Sequence, residues 1–349
     1  MTRTGLSSCL AMMLGAVLSA SGGRVVPTPS TLERFEAVQP HMGTLARITV
    51  FTADAANARA AFTAGFDRIR ALNATLSDYL PDSEINRITR TAVGVPVPVS
   101  ADLFTVLRAA QDLSVATDGA FDITQGPVTR LWRDARKTRL APDAAALSDA
   151  ARRTGYRKLH LDDVTRSVAV DQPEMALDVG AIGKGHAASE ALAAIAQLGV
   201  RSALVAISGE LAFSGAPPGQ RGWRIRIHDG DLPDPRVPAV LHLTHAAVST
   251  SGNSEQYLDV DGRRYSHVID PATGLGLVDD ITVTVVAPHG LEADGLDTAL
   301  GVLGVERALA LVESRRDAAA LIVHRTRDGV RVVPSSRFIE LARRQLAAQ

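Results

Sequence analysis

The sequence predicts a mixed α/β fold of the α+β kind, in which antiparallel sheets are packed with helices. Segments of β-type composition outnumber those of helical period. Many neighbouring strands are separated by turns of hairpin length, as at Asp261-Gly262 and Asp328-Gly329, which favours antiparallel pairing over a doubly wound parallel sheet. A chain of 349 residues that is 46% hydrophobic also has apolar material for one large or two intimate domains with a substantial core.

Residues 42–52, "MGTLARITVFT", have the β-branched density of a strand. Over 53–76, Ala58, Phe62, Phe66, Ile69 and Leu72 recur at helical spacing. A second helix is expected over 101–116 with Ser100 as its amino cap, broken by "TDGAFDIT" and followed by a short helix with Pro127 near its first turn. "YRKLHLD", "SVAV" and "MALDVG" read as short strands, and a helix runs over 184–198, closed by Gly199. Strands follow in "SALVAIS", "LAFSG", "WRIRIHD", "AVLHLTH" and "AAVSTSG", then the hairpin "YLDVDGRRYSHVID". "ITVTVVAP" is a strand of the fully buried type. "GLEADGLDTALGVLG" is a helix, and the end repeats the pattern of helix, strand, strand and terminal helix.

The amino end, "MTRTGLSSCLAMMLGAVLSASGG", has an early arginine, an apolar run from Leu10 to Leu18 and small residues after it. That matches a secretory signal peptide over 1–23; a misplaced start or a short amphipathic extension are the alternatives. Residues 24–41, with Pro27 and Pro29, read as a linker, and 42–349 as the functional domain. The one cysteine, Cys9, precedes the apolar run, so lipid anchoring through it is not expected, and the mature chain has no thiol for disulfides or thiolate metal sites. The expectation is a soluble periplasmic protein. A net charge of −1 with mixed signs gives no electrostatic footprint for nucleic acid or an anionic membrane surface.

"DVGAIGKGHAASEAL" (178–192) reads as strand, tight glycine turn and helix, with Gly180, Gly183 and Gly185 around Lys184. It suggests a phosphate cradle, yet His186 stands where a P-loop has its hydroxyl, and the spacing is not that of a dinucleotide turn. Asp294 and Thr298, four apart on a helix, stack their oxygens on one face and are hard ligands suited to Mg²⁺. Alternatively, the carboxylate offsets the helix dipole and the hydroxyl bonds back to its own helix. His267, at a strand end in "SHVIDPATG", is placed to relay a proton, or else bonds a loop carbonyl while Asp270 opens the turn. Thr250 and Ser251, with Ser249 and the Gly252 amide, either wrap a phosphate or form a polar strand end, and no nucleophile elbow surrounds them. Asp122 meets a ribose or adenine amine with Phe121 stacking, or Phe121 is core and Asp122 caps the turn.

Taken in order, "MGT", "SDYLPDSEINRI", "GAFDITQGPVTRLW", "LDVGAIGKGHA", "STSG", "SHVIDPATG" and "TVVAPHGLEADGLDTAL" resemble the FAD:protein FMN transferase family (ApbE) from Met42 to about Leu303. The resemblance implies an FAD cleft between two subdomains. It implies Mg²⁺ held by Asp294, Thr298 and the carbonyl of Ala181, with FAD as substrate. FMN is then moved to a Thr or Ser hydroxyl of a target protein and AMP released. By matching positions, His267 is the base, Met42, Tyr79, Phe121 and Asp122 hold the isoalloxazine or adenosine part, and Lys184, Thr250 and Ser251 lie near the phosphates. Targets are flavin-accepting subunits of membrane redox complexes outside the cytoplasm. FAD hydrolysis to FMN and AMP, and flavin binding without catalysis, are the competing functions. Relatives commonly carry "GAIAKGY" and "GGD" where this chain has "GAIGKGH" and Ser208-Gly209-Glu210, which bears on the fit around the flavin.

Overall fold

A computed structural model describes residues 32–228, 232–252, 256–260 and 262–346. The expected signal segment and Cys9 lie outside the described residues, as do Asp261 of the hairpin turn and residues 253–255. Among the described residues no helix is long and apolar enough to cross a membrane.

In chain order the elements are β1 (Glu33–His41), β2 (Thr44–Thr52), α1 (Ala55–Leu76), α2 (Glu84–Thr91), β3 (Val97–Pro98), α3 (Ala101–Ala116), α4 (Gly126–Thr138) and α5 (Ala144–Arg152). A single 3₁₀ turn, Tyr156–Lys158, leads into β4 (Leu159–Asp162), β5 (Ser167–Val170), α6 (Gly183–Ala196), β6 (Ala203–Ile207), β7 (Glu210–Phe213), β8 (Trp223–Arg226), β9 (Val240–Leu243) and β10 (Ala246–Ser251). The remainder is β11 (Tyr257–Val260), β12 (Arg263–Ser266), β13 (Ile269–Asp270), β14 (Leu275–Gly276), β15 (Asp280–Ala287), α7 (Gly290–Leu303), α8 (Val305–Ser314), β16 (Ala319–Thr326), β17 (Gly329–Pro334) and α9 (Ser336–Leu346).

The main sheet has the order β1-β2-β6-β7-β10-β15-β16-β17, with every pair antiparallel. The antiparallel α/β expectation therefore holds. Alternation along the strands sends side chains to two cores. Ile48, Val205, Val283 and Ile322 meet Phe66, Ile69, Ala188, Ile195 and Leu300 of α1, α6 and α7. Phe213, Val248, Val286 and Leu321 face the other way, onto Trp223 and Leu241 of the β8–β9 ribbon and Phe338 of α9. A third, smaller cluster fastens Leu258 of β11 and Ile269 of β13 to Val128 and Trp132 of α4.

Caps agree with the sequence where they were read: Ser100 Oγ accepts the Leu103 N–H at 3.2 Å, and Gly199 takes φ +80° just beyond α6. Three expectations are corrected. The linker over 24–41 ends early, because Glu33–His41 is the edge strand β1. Its side chains are mostly exposed, with Phe35 and Ala37 packed against the main core, so its composition is polar and its strand signal weak. "MALDVG" is no strand. It makes one isolated parallel bridge, Gln125 to Ala176, and its backbone is held by the loop before α4, where Asp178 N–H donates to the Ile123 carbonyl at 2.7 Å. Helices α2 and α5 also arise where none was expected. Each opens on a side-chain cap, from Ser83 and Asp143, rather than on a long apolar period.

Candidate active site

A cleft of about 850 Å³ opens beside the amino end of α6, within the size range of small-molecule sites. Met42, Tyr79, Phe121, Asp122, Ala181, Lys184, Thr250, Ser251, His267, Asp294 and Thr298, all named from the sequence, line it. The elements that carry them are far apart in sequence.

Met42 and Gly43 form the two-residue turn between β1 and β2, with φ of 51° and 72°. Positive φ at both places suits the twist of a hairpin but strains a methionine. Tyr79 sits on the loop between α1 and α2. Buried Asn86 pins that loop by donating to the carbonyls of Asp78 (3.0 Å) and Leu80 (2.9 Å). The Tyr79 ring is 69% exposed and lies against the guanidinium of Arg133, 4.3 Å from its centroid.

Phe121 is buried in the main core and Asp122 turns its carboxylate to local donors. Oδ1 accepts from Thr124 N–H (2.8 Å) and Oγ1 (2.7 Å), and Oδ2 from Tyr156 N–H (3.0 Å). Burial raises its pKa against these hydrogen bonds. Of the two readings of this pair, the core phenylalanine and turn-capping aspartate describe its contacts.

The floor is the crossing of α6 and α7. Asp294 is 2% exposed and lies in the second turn of α7, and its Oδ2 accepts the Gly185 N–H of α6 at 2.8 Å. It thus places charge at the amino end of α6, whose N-cap Ile182 has no side-chain hydrogen bond. This close approach exists because Gly185 and Gly290 face each other, and a Cβ on either meets the other's carbonyl. Thr298 Oγ1 donates sideways to Asp297 Oδ1 at 3.2 Å instead of back to its helix.

Lys184 Nζ donates to the Gly180 carbonyl (2.6 Å) and Glu210 Oε1 (3.0 Å) and lies 4.0 Å from Asp294 Oδ1. Burial works against its ammonium, but Asp294 and Glu210 outweigh it and hold the pKa above the ordinary value. Burial, together with Asp294, pushes Glu210 up to about 7, and raises Asp297 well above its usual value. Asp297, 2% exposed, accepts Ser249 Oγ–H at 2.6 Å. Ser208 takes φ 58° in the turn that presents Glu210.

Opposite, Thr250 Oγ1 shares a 3.0 Å hydrogen bond with Thr284 Oγ1 at the end of β10. The backbone N–H of His267 donates to the Gln256 carbonyl at 3.0 Å, and its Nδ1 lies 3.2 Å from the same oxygen. Donation from Nδ1 makes Nε2 the basic nitrogen of the neutral ring. Asp270 opens the following turn, with Oδ1 accepting from Ala272 N–H at 2.9 Å, and Trp132 Nε1–H fastens that turn to α4 through the Gly274 carbonyl at 2.8 Å. The two readings of this segment are compatible: the loop carbonyl that holds His267 also sets its tautomer.

Sequence reading did not single out Asp78, Arg133, Asp178 or Asp297 as functional, although each of them lines the cleft, whereas Ser249, which it did name, does not. Asp297 carries a readable signal, one turn beyond Asp294 on the same helix. Arg133 has none, because its partners stand 55 and 45 residues away.

The donor set fits a hard divalent cation. Asp294, Asp297 and Glu210 supply three carboxylates against the single ammonium of Lys184, and Glu210 Oε2 is buried with no partner among the described residues. Thr298 Oγ1, on the cleft wall, donates its hydrogen to Asp297 and keeps lone pairs with which to accept. No group of three or more His, Cys, Asp or Glu side chains among the described residues is placed to hold a metal by itself.

Residues 42–322 match the model of the ApbE family. The FAD:protein FMN transferase of Klebsiella pneumoniae is 33% identical over 322 residues, covering 90% of this chain and 91% of its own length. That of Salmonella typhimurium is 32% identical over 95% of this chain and 97% of its own. Among solved structures, the flavin transferase ApbE of Vibrio cholerae superposes with a TM-score of 0.78 at 29% identity, covering 88% of this chain and 98% of its own. The apo flavinyl transferase ApbE of Pseudomonas stutzeri gives 0.77 at 32% identity, covering 89% of this chain and 97% of its own. Family match, identity over nearly the full length and shared architecture agree: the chain belongs to the ApbE family.

Proposed function

We propose that the chain is a Mg²⁺-dependent FAD:protein FMN transferase, which moves the FMN half of FAD onto a Thr or Ser hydroxyl of a target flavoprotein and releases AMP. The observation that carries this reading is the presence of a tautomer-fixed histidine, His267, and the Asp294/Thr298 pair on the walls of one cleft.

The reaction is attack of the acceptor oxygen on the FMN phosphorus. The new P–O ester bond forms, the bond to the AMP phosphate breaks, and AMP leaves with that electron pair. Nε2 of His267 takes the hydroxyl proton. Phosphoryl transfer asks mainly for positioning and charge neutralisation. Lys184 supplies an ammonium, and the amino end of α6, which lines the cleft through Gly183 and Lys184, sets the positive end of its dipole toward the phosphates. Asp294, Thr298 and the Ala181 carbonyl would hold Mg²⁺, which supplies Lewis-acid neutralisation of the pyrophosphate when bound. Tyr79 and Met42 take the flat ring system at the mouth, and Phe121 and Asp122 shape the wall behind it. The acceptor is proposed to be a flavin subunit of a membrane redox complex, met in the periplasm after export through the 1–23 segment.

The test incubates residues 24–349 with FAD, Mg²⁺ and a candidate redox subunit, followed by mass spectrometry of the subunit. An added FMN with stoichiometric AMP supports transfer. Free FMN and AMP with an unmodified subunit would replace it by hydrolysis.

A further inference from the structure

Arg133 of α4 joins three walls of the cleft. Its Nη1 pairs with Asp78 Oδ2 on the loop before α2, and its Nη2 lies 2.8 Å from Asp178 Oδ2 before the glycine turn. The guanidinium carbon stands 4.3 Å from the centroid of the Tyr79 ring. The three charged side chains are largely buried, at 19% exposure for Arg133, 9% for Asp78 and 11% for Asp178. Asp178 is held twice more, by Thr129 Oγ1–H at 2.9 Å and by the Gly180 N–H, which donates to Oδ1 at 2.9 Å. Gly180 in turn precedes Ala181, which lines the same cleft and whose carbonyl is a proposed cation ligand.

We propose that Arg133 is a positioning residue for FAD, holding Tyr79 as a fixed aromatic platform and clamping the glycine turn through Asp178. This rests on the reading of the cleft as the FAD site. With two carboxylates around it, the guanidinium carries little net charge to offer a phosphate, so its contribution is geometric. A tyrosine that is 69% exposed samples several rotamers, and ordering it on binding costs affinity. A guanidinium against the ring settles that cost beforehand through the cation–π contact. Arginine suits the place because one planar fork meets two carboxylates and an aromatic face together; the point charge of a lysine meets only one of them well.

The test measures FAD affinity, by quenching of flavin fluorescence, in the wild-type chain, Arg133→Lys, Tyr79→Leu and the double variant, with melting temperatures recorded alongside. Arg133→Lys is expected to weaken FAD binding by about tenfold, raising KM while kcat at saturating FAD stays within about threefold. In the Tyr79→Leu background most of that tenfold loss should vanish, because the platform is already gone. A merely structural arginine loses the same factor in both backgrounds, and that result, or an unchanged affinity in Arg133→Lys, overturns the proposal. Should Arg133→Lys not fold, Asp78→Asn serves in its place. It keeps the shape, removes one arm of the clamp, and is expected to cost a few-fold in affinity only when Tyr79 is present; unchanged affinity there is equally fatal. A wild-type chain that binds no FAD would instead remove the reading of the cleft itself.

Discussion

Lys184 and Glu210 form a largely buried ion pair, 3.0 Å between Nζ and Oε1, in which the second carboxylate oxygen of Glu210 has no partner among the described residues. Burial, reinforced by Asp294, lifts Glu210 from 4.5 to about 7. Between those two values the folded chain binds a proton that the unfolded chain has released. The contribution to stability is therefore present below about pH 4.5 and is lost as pH rises to about 7. Asp294 and Asp297, also raised by burial, act with the same sign. Without added metal, thermal unfolding should show a lower melting temperature at pH 8 than at pH 5.5, on the order of 1–3 kcal/mol in stability. Glu210→Gln should flatten that slope without removing it; an unchanged slope assigns the proton elsewhere.

Metal addition should reverse this loss. The excess carboxylate charge is compensated when Mg²⁺ binds, so at pH 8 a hundredfold excess over Kd should stabilise the folded chain by about 2.7 kcal/mol. Asp294→Asn keeps the shape and the Gly185 contact but removes the charge, and should abolish the Mg²⁺-dependent rise in melting temperature. Thr298→Ala should weaken it less, since a neutral hydroxyl contributes less to binding a hard cation. A full Mg²⁺ shift in Asp294→Asn excludes this residue as the ligand.

The helix crossing beneath the site depends on missing side chains. A Cβ at Gly185 meets the Gly290 carbonyl and comes within 2.7 Å of Asp294 Cβ, so α6 and α7 must part to admit it. Gly185→Ala should cost roughly 3 kcal/mol by urea denaturation. Gly301, on the same α7, has nothing within 4 Å of its would-be Cβ. Gly301→Ala should be neutral or stabilising by up to ~1 kcal/mol. Equal effects at the two positions would mean that helix propensity, not the crossing, decides them.

Much of the site was legible because its residue types and local settings are unusual. A hydroxyl four residues beyond an aspartate, a histidine before an Asp-Pro turn and glycines around a lysine each advertise chemistry, and the structure gathers all of them on one cleft. The strands of the main sheet were legible for a different reason, since apolar alternation or continuity follows directly from burial on one or both faces. Contacts that depend on which surfaces meet were not. Nothing near Arg133 announces Asp78 and Asp178, and glycines 185 and 290 are ordinary until α6 crosses α7. "MALDVG" has a strand's composition, yet its backbone is engaged by the loop before α4, so tertiary context overrides propensity. Strand β1 errs in the opposite sense: an exposed edge tolerates polar side chains, and little hydrophobic pattern remains to read.

His267 carries the last prediction. Its Nδ1 faces the Gln256 carbonyl, which itself accepts the His267 backbone N–H, so the ring is held in the tautomer with a basic Nε2. A hydroxyl is a poor nucleophile at neutral pH, and a positioned base contributes ~10²–10⁴-fold in rate. His267→Ala should lose FMN transfer by about that factor with FAD affinity nearly unchanged, because the base acts in the transition state. His267→Asn keeps a donor for the Gln256 carbonyl but has no basic nitrogen, and should be almost as slow. If the residue served only to brace the loop, His267→Asn would recover most of the activity, and His267→Ala would lose FAD affinity and melting temperature together with turnover. Single-turnover transfer, FAD affinity and thermal unfolding on the same two variants separate these outcomes. Transfer within a few-fold of wild type in a well-folded His267→Asn protein would move the base to another wall of the cleft.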